Sequence, residues 1–191
     1  IGTLAAVGIN SMRGWKKSVL LSINNIPVVN PEIVTAISMM ILFVFVLSRF
    51  NGMEMGFGTL LISHITFNIP YVVLSVLPKL KGMDQNIYYA ALDLGCPPVK
   101  SFIKVVIPQI LPGIISGITM VFVPSVSTFY ISQKLGGNKT LLIGDAIEYL
   151  FNAGPSYYNV ASALSLLLMV MILICLAIMN KFSDDGEGVV I

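Results

Sequence analysis

Charged side chains are scarce in this sequence. Asp, Glu, Lys and Arg together make up 10% of its 191 residues, whereas a soluble domain has about a quarter. Hydrophobic residues make up 56%, and the mean hydropathy is +0.90. This composition excludes a soluble globular enzyme. The formal net charge of +2, without a long basic run, also excludes a nucleic-acid-binding surface.

Cysteine and histidine are nearly absent as well. The two cysteines, Cys96 and Cys175, lie far apart and the one histidine is His64, so the sequence predicts neither a disulfide framework nor a metal site. It also has no phosphate-binding GxxxxGK[ST] loop. We therefore predict no cofactor, no metal and no catalytic residue.

Long uncharged windows are what the sequence has instead. A membrane span needs about 20 apolar residues, and such windows predict complete spans at about 27–48, 56–77, 105–126 and 158–180. Glu32 is expected near the interface at the beginning of the first of these. Residues 1–12 are interpreted as the end of a further span. We thus expect one transmembrane domain over 1–191, an all-α polytopic membrane helix bundle that is truncated at its N-terminus.

The distribution of lysine and arginine predicts the orientation. Cytoplasmic loops carry an excess of these residues. One side of the bundle receives eight of the 11, namely Arg13, Lys16, Lys17, Lys79, Lys81, Lys100, Lys104 and Lys181. That side is predicted to be cytoplasmic, and a loop at 132–156 to be external.

The polar segment 82–104 predicts a cytoplasmic elbow of two short helices. Asp84 is a good N-cap for a helix over 85–94, and Gly95 stands where a left-handed C-terminal cap is expected. Pro98 suits the first turn of a second helix. Small side chains on the first helix would let a partner surface approach closely.

The same segment carries a motif. The spacing E-A-A-x3-G-x9-I-x-L-P, called the EAA motif, is matched by Tyr89-Ala90-Ala91, Gly95, Val105, Ile107 and Pro108. The chain therefore resembles the permease subunits of type I ABC importers. Other stretches are similar to spermidine/putrescine permease subunits: 30–38, 63–71, 129–132, 135–137 and 141–144. The resemblance covers nearly the whole chain.

The resemblance implies a transporter subunit, not an enzyme, in the plasma membrane of a bacterium. It implies three partners besides membrane lipid: a cytoplasmic ABC ATPase dimer, a second permease subunit and an extracytoplasmic substrate-binding protein. The motif's glutamate is Tyr89 here, and Asp93 one turn later is expected to substitute in part. The residues it assigns to ATPase coupling are Tyr89, Ala90, Ala91, Asp93, Gly95 and Pro108.

The substrate pathway has six candidates: His64, Ser127, Thr128, Tyr130, Asp145 and Glu148. An ionisable group inside a span is a functional hypothesis by default, although one interhelical hydrogen bond would also satisfy His64. Asp145 and Glu148 either attract polycations or form a solvated face. Ser127 and Thr128 stand where one polyamine permease subunit typically has an acidic pair.

Other transport functions stay open at this stage. The elbow motif is shared by importers of amino acids, iron and thiamine. An ion-coupled secondary transporter would also be a bundle broken by Gly and Pro, but it is expected to have acidic residues near the membrane midplane. A membrane enzyme would need a catalytic constellation, which a lone histidine does not supply.

Overall fold

The structure is a computed structural model that describes residues 1–49, 55–137 and 140–187, with side chains up to Lys181. All the regular elements in these ranges are helical. They are α1 (Gly2–Ser11), α2 (Trp15–Val29), α3 (Glu32–Leu47), α4 (Phe57–Gly82), α5 (Gln85–Asp93), α6 (Pro98–Ser101), a π-helical turn (Phe102–Val106), α7 (Ile107–Ser127), α8 (Tyr130–Leu135), α9 (Ile143–Asn152), a 3₁₀ turn (Pro155–Tyr157) and α10 (Tyr158–Glu187).

Within the described ranges, three stretches are long and apolar enough to cross a membrane: Phe57–Gly82, Pro98–Ser127 and Pro155–Lys181. The pair α2 and α3 makes a fourth if the two helices count as one broken span. The two helices are bent by 111° relative to each other. The bend falls at Asn30 and Pro31, where the proline ring prevents a regular helical continuation. The predicted span 27–48 crosses this bend, so its residues do not form one straight helix.

Close packing of α4 against α7 forms the centre of the bundle. Gly113 and Gly117 have the GxxxG spacing, and a Cβ at Gly117 would lie 2.6 Å from the Ser75 hydroxyl oxygen. Small residues at this spacing let two membrane helices approach closely. The core around them also takes in α1, and its buried residues are Ala6, Ile9, Val73, Val76, Leu77, Leu80, Val106 and Ile110.

The bundle has two distinct ends. We call the end where α4 stops and α7 begins the elbow end, and the opposite end, with α8 and α9, the far end. A second cluster of buried side chains fills the far end, contributed by Ala36, Leu60, Phe67, Ile131 and Leu135. Because α3 packs against α8 here, α3 lies at the far end over much of its length.

This packing changes the position expected for Glu32. The sequence predicts it at the inner beginning of a span, yet its carboxylate accepts hydrogen bonds from Thr128 and from the Ile131 backbone N–H. Both donors belong to the far end. The path from the elbow end to the far end is instead taken by α2, whose Leu21 packs against the central core.

Candidate functional site

Two short helices, α5 and α6, make up the elbow segment. The Asp84 side chain caps α5 by accepting a hydrogen bond from the Asn86 backbone N–H at 2.9 Å. The helix ends at Asp93, and Pro98 occupies the first turn of α6. The π-helical turn then leads directly into α7, so the elbow continues into one of the long helices without a loop.

Gly95 ends the first elbow helix in a conformation that favours glycine. Its φ is +81°, a value that costs an ordinary L-residue about 1–2 kcal/mol. The Cys96 N–H donates to the Ala91 carbonyl at 3.1 Å and the Gly95 N–H to the Leu92 carbonyl at 2.9 Å, which is the Schellman arrangement. No heavy atom lies within 4 Å of a Cβ built there, so the backbone conformation alone requires glycine.

Two tyrosines divide the α5 surface into an anchor and a free face. Tyr88 packs against the central core, whereas Tyr89 is 56% exposed. Ala90 is exposed and Ala91 is half-buried. The small side chains of the motif therefore lie beside an anchored ring but leave their own helix face accessible to a partner.

The tip of the elbow is apolar and uncovered. Leu94 is 89% exposed and Val99 is 71% exposed, while Asp93 and Pro108 are also exposed. Leucine and valine side chains at such exposure leave apolar surface in contact with water, which is typical of an interaction site when the residues cluster.

A cavity of about 420 Å³ separates the elbow from the end of α1. Asn10, Arg13, Gln85 and Tyr89 contribute polar side chains to its wall. On the α1 side, Lys17 donates hydrogen bonds to the Asn10 backbone and side-chain oxygens at 3.3 Å. Tyr88, which anchors the elbow to the core, also lines this cavity, so the elbow has open space on the side that faces α1.

The far end is held together by side chains from segments distant in sequence. Thr128 is buried and donates to Glu32, which ties the beginning of α3 to the end of α7. The Thr59 hydroxyl donates to the Leu135 carbonyl at 2.6 Å, which ties α4 to α8. Thr128, expected in the substrate pathway, is thus a buried link between helices.

Asp145 is also a structural residue in this fold. It is 7% exposed, and its carboxylate accepts hydrogen bonds from the Ser132 hydroxyl and from the Leu142 N–H at 3.2 Å. It caps α9 and joins that helix to α8. The hypothesis that Asp145 gathers cations on an external surface does not fit this burial, since the carboxylate is turned inward.

Glu148, one turn later, has a different environment. It lines a cavity of about 420 Å³ between α7, α9 and α10 together with Ser127, Phe129, Phe151, Asn152 and Ser165. The Gln133 side-chain amide donates to its carboxylate at 3.4 Å. The structure therefore brings together two of the six predicted pathway residues, Ser127 and Glu148.

The other two candidates lie outside this cavity. Tyr130 packs into the far-end core and its ring lies 4.2 Å from that of Phe129, between centroids. His64 is half-buried, with Nδ1 3.1 Å from the Leu60 carbonyl oxygen of its own helix. Its Nε2 is buried and has no hydrogen-bond partner among the described residues. Neither residue lines the cavity that contains Glu148.

Seven described residues of the cavity wall are absent from the predicted set: Phe129, Gly144, Ile147, Phe151, Asn152, Ser165 and Leu168. A signal for part of them exists in the sequence, because Gly144, Ile147, Glu148 and Phe151 recur at the spacing of one helix face. Phe129 and Ser165 come from other elements, and no local pattern connects them to α9.

Comparison with known proteins gives a family match along most of the chain. The family described as binding-protein-dependent transport system inner membrane component matches residues 1–185. The match includes the elbow and both clusters of buried side chains.

Two relatives resemble the chain along nearly all its length, and a third resembles about half of it. A spermidine/putrescine transport system permease protein PotC homolog of Mycoplasma genitalium is 29% identical over 191 residues, which is 100% of this chain and 66% of the relative. PotC of Escherichia coli K12 is 31% identical over 190 residues, 98% of the chain and 70% of the relative. PotB of the same strain is 34% identical over 94 residues, 49% of the chain and 34% of the relative.

The chain spans less than two thirds of the length of the two Mycoplasma relatives it matches, covering 66% of one and 63% of the other. The part of these relatives that matches this chain therefore corresponds to the elbow, α4, α7 and the far end.

Proposed function

This chain belongs to the family of binding-protein-dependent transport system inner membrane components, and from that premise we propose that it is the permease subunit of an ABC importer. In this proposal the chain forms part of the wall of the translocation path. It converts movement of an ATPase into movement of its long helices. It performs no chemistry on ATP itself.

The geometry of the elbow is the observation that carries this proposal. The elbow is anchored to the core by Tyr88 and exposes apolar side chains at its tip. It continues through a π-helical turn into α7. A push on the exposed face would therefore reach the far end along a single helical path. Ala90, Ala91 and Gly95 would fit against the ATPase, with Tyr89, Asp93 and Pro108 at the margin of the contact.

The proposed topology places the elbow in the cytoplasm. The basic residues near the elbow end, among them Arg13, Lys100 and Lys104, favour that side. The far end, including α8 and α9, then faces the outside, where a substrate-binding protein would dock. Residues 138–139 of the predicted external loop lie outside the described residues.

A polyamine is the substrate class we propose. The support is that the relatives matching nearly the whole chain have names that describe spermidine/putrescine transport. The alternative is that the chain is a permease subunit of an ABC importer for amino acids, iron or thiamine. The partners we propose are an ATPase dimer, a second permease subunit and an extracytoplasmic binding protein.

Uptake by the complete transporter tests this function. The chain is reconstituted into proteoliposomes with its partner permease, ATPase and binding protein, and labelled putrescine and spermidine are followed with ATP and with a non-hydrolysable analogue. ATP-dependent uptake of either polyamine is expected. Uptake of neither, with ATP-dependent uptake of another solute, would contradict the substrate. Uptake driven by an ion gradient without ATP would contradict the importer mechanism.

Cysteine labelling tests the topology independently. Val99 at the elbow tip and Leu141 at the far end are both 71% exposed, so they form a matched pair. With Cys96 and Cys175 replaced by serine, a membrane-impermeant maleimide should label Val99→Cys only from the cytoplasmic side and Leu141→Cys only from the outside. The reverse pattern would place the elbow away from any cytoplasmic ATPase.

A further inference from the structure

The cavity between α7, α9 and α10 has the chemistry of a cation site. We propose that it seats an ammonium group of the transported amine, an inference that deepens the proposed function and rests on it. Its volume of about 420 Å³ falls in the usual range of ligand pockets, about 300–1,000 Å³. It lies at the far end, which faces the outside in the proposed topology.

Glu148 supplies the charge. It is the one charged side chain among the described residues that line the cavity, and its carboxylate accepts a hydrogen bond from the neutral amide of Gln133 at 3.4 Å. Within the described part of the chain it forms no ion pair. A carboxylate at a partly apolar wall attracts a cation more strongly than one in open water, because the local dielectric constant is lower.

Two phenylalanine rings supply the second attraction. Phe129 is packed on Tyr130 with ring centroids 4.2 Å apart, and Phe151 on Tyr158 at 5.9 Å. Each ring at the cavity wall is thus positioned by a ring outside it. The face of an aromatic ring attracts an ammonium group through its quadrupole.

The hydroxyl groups are oriented to accept hydrogen bonds. The Ser127 hydroxyl donates its proton to the Val123 carbonyl at 2.8 Å, and the Ser165 hydroxyl to the Ala161 carbonyl at 2.8 Å. With their protons used, the oxygen lone pairs can accept from a ligand. An ammonium group brings only donors, so it complements these two hydroxyls and the carboxylate together.

The lining discriminates against other ligands. An anion would be repelled by Glu148. A metal ion such as Ca²⁺ or Mg²⁺ is usually held by carboxylates together with other oxygen ligands, whereas Glu148 is the single carboxylate among the described residues of the wall. A primary ammonium group has two sources near a membrane surface, a soluble amine or the ethanolamine headgroup of a lipid. We assign the cavity to the soluble amine, and the experiment separates the two.

The cavity is joined to the elbow through α7. A Cβ at Gly144 would lie 2.9 Å from the Thr128 carbonyl oxygen, so α9 approaches the end of α7 closely enough to require glycine there. The wall formed by Glu148 is therefore held against the end of the helix that begins at the elbow. Movement of α7 would change the shape of the seat.

Protection of a cysteine inside the cavity tests the proposal. In the complete transporter, Cys96 and Cys175 are replaced by serine and Leu168→Cys is introduced, since Leu168 lines the cavity without a polar role. The complex is placed in vesicles of phosphatidylglycerol alone, and alkylation by N-ethylmaleimide is timed. Putrescine and 1-aminobutane should slow alkylation about tenfold at saturation, whereas 1-butanol should not. A reporter at Leu173→Cys, outside the lining, should show no protection.

Variants then assign the effect to residues. Glu148→Gln should raise the putrescine concentration needed for half-protection by about tenfold, and Glu148→Asp by less. Phe151→Leu should raise it about threefold, and Phe151→Tyr should leave it near that of the parent because the ring remains. Equal protection by 1-butanol, or no change with Glu148→Gln, would overturn the ammonium assignment.

The lipid source and the failure of the proposed function give different results. Protection by phosphatidylethanolamine in the absence of putrescine, not reversed by putrescine, would overturn the assignment to a soluble amine. ATP-dependent polyamine uptake without protection would contradict the ammonium site in this cavity but leave the proposed transport function intact. Protection by putrescine without polyamine uptake would contradict the proposed transport function but leave the ammonium site in the cavity supported.

Discussion

The elbow end and the far end of this bundle are built on opposite plans. The elbow is made of local interactions: a cap at Asp84, a Schellman turn at Gly95 and a helix start at Pro98. The far end is made of links between distant segments, such as Glu32 with Thr128 and Thr59 with Leu135. An element held by local interactions keeps its shape while its surface stays free for a partner. Segments joined by hydrogen bonds to distant segments use their polar groups to bind each other.

The contrast extends to exposure. At the elbow, Leu94 and Val99 are largely uncovered. At the far end, Thr128, Ser132 and Asp145 are buried and bonded to one another or to neighbouring helices. Substitutions at the elbow should therefore disturb coupling more than folding, and substitutions at the far end should disturb folding first.

The largest effect is expected from Gly95→Val at the elbow. A β-branched residue is strained at a φ of +81°, so the turn should open and misdirect the second elbow helix. Substrate-stimulated ATP hydrolysis by the complete transporter should fall by about tenfold or more, because 1.4 kcal/mol of strain corresponds to a factor of about ten. Membrane insertion should be unchanged.

Two controls accompany this variant. Gly95→Asn should retain much of the activity, because asparagine tolerates the left-handed region. Gly82→Val lies at the end of α4, where φ is not positive and a Cβ meets nothing within 4 Å, and it should retain coupling. Equal losses in Gly95→Val and Gly82→Val would refute a specific role for the turn.

The next effect concerns the two carboxylates of α9. Asp145→Ala removes the acceptor for the Ser132 hydroxyl and the Leu142 N–H, and leaving buried donors unpaired costs about 1–3 kcal/mol. Glu148→Ala, one turn away, should change the free energy of unfolding by less than about 0.5 kcal/mol. Unfolding of the purified chain in detergent, followed by circular dichroism, measures both. Similar values for the two variants would contradict their assignment to different roles.

A smaller effect is expected where α3 meets α7. Glu32→Gln weakens the bond from Thr128 by removing the charge of its acceptor, and Thr128→Val removes the donor. Each should destabilise the chain by about 1 kcal/mol. In a double-mutant cycle the two losses should not add, with a coupling energy of about 1 kcal/mol. Additive losses would mean that the two side chains act independently.

The smallest effect is expected at Tyr89. This side chain is 56% exposed, and its ring lies 5.8 Å from that of Tyr88, between centroids. Tyr89→Glu, which restores the motif's glutamate, should change stability by less than about 0.5 kcal/mol. We expect co-purification of the ATPase to rise about twofold, consistent with a surface ion pair of a few tenths of a kcal/mol. A sharp loss of co-purification would show that the ATPase surface is fitted to tyrosine.

Much of the fold follows from patterns along the chain. The long apolar windows coincide with α4, α7 and α10, since a helix is the structure that satisfies its backbone hydrogen bonds within one segment in lipid. The exception is the window at 27–48. Its hydropathy is continuous, but the chain bends at Asn30 and Pro31, and hydropathy contains no information on direction.

The candidates for the substrate pathway could not be told apart from the local sequence. Asp145 and Glu148 are both carboxylates on adjacent turns of α9, and the sequence predicts the same role for both. Burial separates them: Asp145 meets Ser132 of α8, while Glu148 opens into a cavity whose other walls are α7 and α10. Which face of α9 turns inward depends on its packing against α7, α8 and α10.

The sequence by itself determined the membrane character, the long helices and the elbow, because each depends on neighbouring residues: apolar runs, a cap, a glycine and two prolines. The tertiary structure alone decided that α3 lies at the far end, that Glu32 bonds to Thr128, and that one carboxylate of α9 is a cap while the other lines a cavity. The physical reason is the range of the forces involved. Caps and turns close within a few residues, whereas burial and interhelical hydrogen bonds depend on how whole helices pack.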